Sequence, residues 1–258
     1  MLKAHPHPPD APHAGPARRV RLDRLLVERG LFDSRARAQA AVAAGLVRVA
    51  GAVVSKASTE VDAAADIAAE DIHDFVSRGA LKLTAALESF AIDPAGALAL
   101  DVGSSTGGFT EVLLRRGARR VHAVDVGHGQ FHPRLGADPR VHLLEGKDIR
   151  ALAPDEIGEP VDLVVVDVSF ISLALVLPAA LAFAAPQARL VALVKPQFEA
   201  GRALVRKGVV KDAAVHEAVC ARVEQEVRDL GWRLLGRIPS PIAGGDGNRE
   251  FLLGAVRP

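Results

Sequence analysis

The sequence predicts an α/β protein: a doubly wound open sheet of seven strands, preceded by a small basic α+β module. Three observations lead there. From Ser77 onward, short apolar runs alternate with helical patterns, as when strands and helices are laid down in turn. One of those runs, residues 98–102, breaks into Gly103-Ser104-Ser105-Thr106-Gly107-Gly108 before a helical pattern resumes. Open parallel sheets bind nucleotide-like cofactors at such turns. Finally, cations crowd the chain ahead of residues 71–76 and are offset by acids after them.

With 258 residues, 49% of them apolar and 24% charged, the chain can bury one sizeable core and still carry a separate module. Its net charge is +1, so any affinity for nucleic acid depends on where the cations lie. Cys220 is the sole cysteine, which excludes an internal disulfide and a cysteine-based zinc site; a reducing cytoplasm fits, and no metal is expected. Residues 1–17 hold His5, His7, His13 and several prolines without the apolar run of a signal peptide, and read as a flexible tail with no assigned role.

Residues 18–70 form the basic module, in which Arg18, Arg19, Arg21, Arg24, Arg29, Arg35, Arg37, Arg48 and Lys56 outnumber Asp23, Glu28 and Asp33. Helical spacing over residues 21–28 ends at Gly30. Asp33 or Ser34 can cap a second helix that reaches Ala44 and stops at Gly45. Two short strands follow about a glycine turn in residues 46–54. Leu25, Leu26, Leu31, Ala38, Ala41, Val42, Leu46 and Val47 are its expected core. Arg24, Arg35, Arg37, Arg48 and Lys56 are left for solvent or phosphate. Residues 71–76 read as a linker and residues 77–258 as the sheet domain.

Strands are expected at residues 97–101, 120–125, 141–144, 161–167 and 190–195, with 232–238 and 250–256 closing an antiparallel hairpin at one edge. Residues 168–188 carry no formal charge and approach the length of a membrane span. Pro178 and Pro186 interrupt that stretch, however, and Asp167, Ser169 and Ser172 crowd its start. A strand end followed by a core helix is the simpler reading.

The spacing of the glycine turn discriminates among ligands. A phosphate-cradling loop needs Gly-Lys-Ser/Thr, and no lysine stands between Asp101 and Glu111. A dinucleotide turn wants G-x-G-x-x-G, whereas this one reads G-S-S-T-G-G. S-adenosylmethionine needs close backbone approach and acids after successive strands. Asp125 and Asp148 stand in those places, although either alone could be a helix cap. The candidate donor site is therefore Asp101, Gly103, Ser104, Ser105, Thr106, Gly107, Gly108, Phe109, Asp125, Val126, Asp148 and Asp167.

Four further charges fall where strands or loops end: Lys82 in "VSRGALKL", Asp167 in "VDLVVVDVSF", Lys195 in "LVALVKPQFE" and Glu250 in "GNREFLL". Charges at the ends of buried strands are costly unless paired, so a purely structural salt-bridge network is one explanation. Methyl transfer to a ribose hydroxyl is the other. That hydroxyl is a poor nucleophile until a base removes its proton, and burial with a second ammonium nearby favours a neutral amine. Either lysine can be the neutral amine; Lys195 is assigned as the candidate base and Lys82 as the neighbouring cation or hydroxyl orienter, with Asp167 and Glu250 holding both in line.

Residues 20–67, through "RLDRLLVERGLFDSRARAQAAVAAGLVRVAGAVVSKAS", resemble the S4-like RNA-binding domain. From Ser77 to Val256 the chain resembles the Rossmann-like FtsJ-like 2′-O-ribose RNA methyltransferases, whose Lys-Asp-Lys-Glu tetrad matches Lys82, Asp167, Lys195 and Glu250. An S4-like domain followed by "VSRGALKL", "DVGSSTGGFTEVLL", "DVGHGQ", "VDVSFISL", "LVKPQFE" and "GNREFLL" is similar to the TlyA family, also labelled hemolysin A. The resemblance implies S-adenosylmethionine-dependent 2′-O-methylation of cytidine in large-subunit ribosomal RNA, and in some members small-subunit RNA. It also implies phosphate contacts from Arg24, Arg35, Arg37, Arg48, Lys56 and Arg78. His73-Asp74-Phe75-Val76 in the linker departs from the family pattern, as does a less glycine-rich loop at residues 199–212.

Rival activities leave traces that this chain lacks. Base-amino methylation uses an Asn/Asp-Pro-Pro-Tyr/Phe segment where Val168-Ser169-Phe170 stands, and carbon-5 methylation needs a cysteine nucleophile, whereas Cys220 lies in a helical pattern. Pseudouridine synthases share S4-like domains, but Arg21-Leu22-Asp23 has no catalytic context here. A non-catalytic RNA-binding or ribosome-assembly protein and a membrane-lytic protein are the remaining alternatives. The lytic reading has only the proline-broken stretch in its favour.

Overall fold

A computed structural model of the chain describes residues 18–32, 34–69 and 74–258. The expected tail, the cap candidate Asp33 and residues 70–73 at the start of the linker lie outside the described residues. The chain divides into two compact units, one ending at Asp74 and the other spanning Phe75–Pro258.

In the first unit, β1 (Arg19–Arg21) leads into α1 (Leu22–Glu28), followed by α2 (Arg35–Ala43), β2 (Val47–Val49), β3 (Ala52–Val53), β4 (Glu60–Asp62) and β5 (Ile67–Ala69). β2 lies between β3 and β5, and β1 pairs antiparallel with β4. Ser34 caps α2, its hydroxyl accepting from the Arg37 amide at 3.3 Å. The β2–β3 hairpin turns through Ala50 and Gly51, both at positive φ, which matches the twist of the strands. β1, β4 and β5 were not anticipated, because three residues are too few to display a period of two. Leu31, an expected core residue, is 41% exposed; the reversal at Gly30 (φ +67) turns Phe32 inward in its place.

Asp23 is fully buried in this unit, which a lone carboxylate would not tolerate. Arg21 donates to both of its oxygens at 3.1 and 3.0 Å, and Arg35 and Gln39 each donate at 2.8 Å. The Arg21 hydrogen bonds, reinforced by those of Arg35 and Gln39, hold its carboxyl well below the usual carboxylate range. The stability this contributes is present above that range and is lost as pH falls through it. Asp23→Ala is expected to cost roughly 2–3 kcal/mol, read as faster hydrogen exchange at the α1 amides with the sheet domain unchanged.

The second unit runs α3 (Gly79–Ser89), β6 (Leu98–Val102), α4 (Gly108–Arg115), β7 (Arg120–Asp125), α5 (Pro133–Gly136), β8 (Val141–Glu145), α6 (Pro154–Ile157), β9 (Val161–Val166), α7 (Leu173–Ala182), β10 (Ala184–Val194), α8 (Pro196–Glu199), α9 (Ala213–Asp229), β11 (Arg233–Pro239) and β12 (Phe251–Val256). Its seven strands lie in the order β11-β12-β10-β9-β6-β7-β8, parallel except that β12 runs antiparallel to β10 and β11. The seven expected strands and the edge hairpin are present. β10 begins six residues before its expected start, at Ala184, and bulges before Arg189, absorbing the end of the uncharged stretch. Among the described residues no helix is long and apolar enough to cross a membrane.

Side chains alternate across the sheet. Leu98, Leu100, Val102, Val164 and Val166 pack with Leu173 and Leu177 of α7 and with Val219 and Val223 of α9. Ala99, Leu163 and Val165 pack on the other face with Leu83 and Leu87 of α3 and with Phe109 and Leu113 of α4. Strands covered on both faces are apolar throughout, which leaves the strand ends as the natural place for charge. Strand order reverses between β6 and β9, so the loops after them part there and leave a crevice.

Candidate active site

The crevice is built by the register of β6 and β9. Val102 is the partner of Val166, and the Asp167 amide donates to the Val102 carbonyl at 2.9 Å, so Gly103 and Asp167 leave the sheet side by side. Gly103 has φ +84, and a Cβ there would collide with the Asp167 carbonyl oxygen. Only glycine lets these two strand ends lie so close. Gly107 (φ +94) caps α4, and a side chain on it would run into Leu135 and Phe131.

Two clefts open here. The first, of ≈ 500 Å³, has walls that include Val124, Val126, Ile149 and Ile171, with Asp125, Asp148 and Asp167 as its carboxylates. Asp125 accepts from the amides of Ser105 and Gly127, both at 2.7 Å, which ties the glycine turn to the loop after β7. Asp148 accepts from the Arg150 amide and side chain at 2.6–3.1 Å, each oxygen taking two bonds. Those bonds lower its pKa, and the residue also caps a 3₁₀ turn. The second cleft, of ≈ 270 Å³, shares Gly103, Ser105 and Asp167 with the first and adds Ser77, Arg78, Lys82, Ser104, Thr106, Gly108 and Phe109.

Of the expected donor-site residues, Gly103, Ser105, Asp125, Val126, Asp148 and Asp167 line the first cleft, whereas Ser104, Thr106, Gly108 and Phe109 line the second. Asp101 and Gly107 line neither. The alternation of β6 turns Asp101 toward α4, where it is fully buried and accepts from the Thr110 hydroxyl at 2.6 Å, its other oxygen unpartnered among the described residues. Burial, opposed by the Thr110 bond and aided by the Asp167 charge, pushes Asp101 up to about 7. The folded protein therefore keeps a proton that the unfolded chain releases near pH 4. The associated stability is complete below that pH and is lost as pH rises through about 7. Asp101→Asn is expected to flatten this dependence, with a gain over the parent of roughly 2–4 kcal/mol at pH 8 that vanishes by about pH 4 in thermal melts.

The four tetrad candidates meet as two ion pairs. Lys82 and Glu250 contact at 2.5 Å, both buried, and the Gln197 amide reaches the other Glu250 oxygen at 3.3 Å. Lys195 and Asp167 contact at 2.6 Å, and Lys195 also donates to the Ser169 hydroxyl at 2.9 Å. Val194 is the partner of Phe251 across β10 and β12, so Lys195 and Glu250 sit at adjacent strand ends. Lys82 and Asp167 line the second cleft, with Glu250 and Lys195 as their counterions.

The candidate RNA contacts are less uniform. Arg35 is held by buried Asp23, Arg24 pairs with Glu28 at 2.8 Å, Arg48 donates to the Gly51 carbonyl, and Arg37 is half-buried. Lys56 is exposed, and Arg78 lines the second cleft. Ser169 and Glu199 had no assigned role. Glu199, whose side chain is 2% exposed, accepts from Ser172 and from the Leu173 amide at 2.7 Å and from Arg222 at 3.0 Å. It thereby caps α7 and fixes the loop that carries Asp167 and Ser169. A carboxylate four residues beyond Lys195, just after the apolar run of β10, was its trace in the sequence.

A crevice at the switch point of this sheet, with a charged second cleft beside it, is the build of a methyltransferase, and the chain belongs to the FtsJ-like methyltransferase family, which it matches over residues 75–257. An S4 domain matches residues 20–67. The chain is 48% identical over 240 residues to the 16S/23S rRNA (cytidine-2′-O)-methyltransferase TlyA of Mycobacterium tuberculosis, covering 92% of this chain and 90% of that one. To the 23S rRNA (cytidine-2′-O)-methyltransferase TlyA of Campylobacter jejuni it is 38% identical over 179 residues, 69% of each chain. A solved structure from Streptococcus thermophilus, of a protein called a hemolysin, superposes with a TM-score of 0.75 at 39% identity, covering 93% of this chain and 88% of that one.

Proposed function

We propose that this chain transfers the methyl group of S-adenosylmethionine to the ribose 2′-hydroxyl of cytidine in ribosomal RNA, with the large subunit as its main substrate. The single observation that carries this reading is the pair of lysine–carboxylate contacts, Lys82–Glu250 and Lys195–Asp167, beside a cleft that shares Gly103, Ser105 and Asp167 with its neighbour. The first cleft suits the donor: Val124, Val126 and Ile149 offer apolar surface to an adenine, and Asp125 keeps lone pairs for ribose hydroxyls. An adenine amino group would reach Asp148 only by displacing Arg150. Ser104, whose buried hydroxyl has no partner among the described residues, supplies a further polar contact on the acceptor side.

The bound donor contributes an electrophilic methyl group, and the chain's own residues ready the acceptor. Lys195 takes the 2′-hydroxyl proton as the new bond forms, Asp167 and Ser169 aim its amine, and Lys82, steadied by Glu250, orients the hydroxyl. Arg24, Arg37, Arg48, Lys56, Arg78 and the exposed face of Arg35 meet RNA phosphates. Such a substrate makes the cytoplasm the working compartment. The names of the relatives support the cytidine and differ on the small subunit. Incubating the purified chain with labelled donor and separated ribosomal subunits, then mapping 2′-O-methyl positions, tests both points. Label is expected at a cytidine ribose of the large subunit. Donor binding without incorporation into either subunit would leave a non-catalytic RNA-binding protein.

A further inference from the structure

Within the loop at residues 199–212, residues 206–209 form a hydrogen-bonded basic turn. Arg206 and Val209 exchange backbone hydrogen bonds at 3.0 Å each way, and both residues between them have positive φ, Lys207 at +51 and Gly208 at +77. A lysine seldom adopts that conformation, so the surroundings must impose it. Buried Asn248 donates to the Gly208 carbonyl at 2.9 Å and accepts from the Val210 amide at 3.3 Å, and the His216 ring meets the Val210 carbonyl at 3.0 Å. Asn248 stands two residues before Glu250, and its carbonyl accepts from Gly244, which lines the second cleft. The turn is thus fixed beside the acceptor opening.

Its charges are available. Arg206, Lys207 and Lys211 are exposed, and among the described residues no carboxylate lies within ion-pair distance of them. Arg222 and Arg228 of α9 and Arg237 of β11, by contrast, are paired with Glu199, Glu224 and Glu217. Asp246 is the acid that faces the turn, 3.8 Å from where a Cβ on Gly208 would stand. Exposed cations without a paired carboxylate among the described residues, carried on a braced backbone turn beside an opening that admits a sugar, suit the phosphates on either side of that sugar.

We infer that the turn at residues 206–209, with Lys211, is a second RNA docking point that grips the phosphate backbone of the strand whose ribose enters the acceptor cleft. This rests on the reading of the chain as an RNA ribose methyltransferase. The test replaces Arg206→Gln, Lys207→Asn and Lys211→Gln together in the full chain, asparagine being tolerant of the left-handed conformation. The apparent KM for ribosomal RNA is expected to rise roughly 10–100-fold near 0.1 M salt, and the log–log salt slope to shrink by about 2. kcat at saturating RNA and donor affinity by calorimetry should be preserved, and Asp246→Asn alone should tighten RNA binding. An unchanged KM and slope would overturn the docking point, and so would a parallel loss of donor affinity, which would make the cations structural. If the parent chain binds RNA but methylates no ribose, the enzymatic reading fails while the salt slope still reports on the turn.

Discussion

Lys195→Ala is expected to lower kcat for methyl transfer by roughly 10²–10⁴-fold at saturating RNA and donor, the range general-base catalysis commonly contributes. The residue lines neither cleft wall, and Asp167, which both clefts share, together with Ser169 holds its amine at the seam between them. Donor affinity and RNA affinity should therefore change little, and the loss should fall on kcat and kcat/KM alike. Lys195→Arg separates base catalysis from charge pairing, because a guanidinium can satisfy Asp167 but cannot accept a proton. It is expected to restore thermal stability without restoring turnover. Single-turnover methylation with the three proteins reads both quantities. Activity in Lys195→Ala near that of the parent would transfer the role to Lys82, which lines the acceptor cleft, or remove lysine base catalysis altogether.

The fold was legible in the sequence to the extent that period and punctuation were. The seven strands of the sheet are apolar and bounded by glycine, proline or charge, so they stand out, as does the antiparallel edge formed by β11 and β12. β1, β4 and β5 of the first unit are held by pairing with distant partners, and three residues carry no periodic signal. Lys82, Asp167, Lys195 and Glu250 could be found because a charge at the end of a buried strand or in an apolar helix demands an explanation. Their grouping into Lys82–Glu250 and Lys195–Asp167 could not, since it follows from the parallel register of β10 with β9 and from the packing of α3 against β12. Asp101 illustrates the opposite limit. It sits one residue inside the strand, and the alternation that makes β6 readable turns its carboxyl away from the cleft toward Thr110. Glu199 and Asn248 act by bonding to backbone groups of other loops, a role that composition and spacing do not display.

Gly103→Ala is expected to abolish measurable donor binding and to cost roughly 3–5 kcal/mol of stability, at the severe end for a single methyl. Part of the cost is conformational, since alanine at φ +84 sits in the left-handed region, at about 1–2 kcal/mol. The remainder is collision: the new Cβ would overlap the Asp167 carbonyl oxygen, lie 2.8 Å from its carbon and press on Val168. All of these belong to the first turn of chain beyond β9, so relief requires the ends of β6 and β9 to part. Parting them moves Asp167, which both clefts share and which holds Lys195. Gly231→Ala isolates the collision, because Gly231, just beyond the end of α9, has nearly the same φ, +83, and a Cβ there meets nothing within 4 Å. That variant should lose only the conformational part and bind donor as the parent does. Calorimetric titration with S-adenosylmethionine and urea unfolding of the two variants separate the contributions. Equal losses in both would mean that backbone strain alone, and not the closeness of Asp167, demands glycine at the switch point.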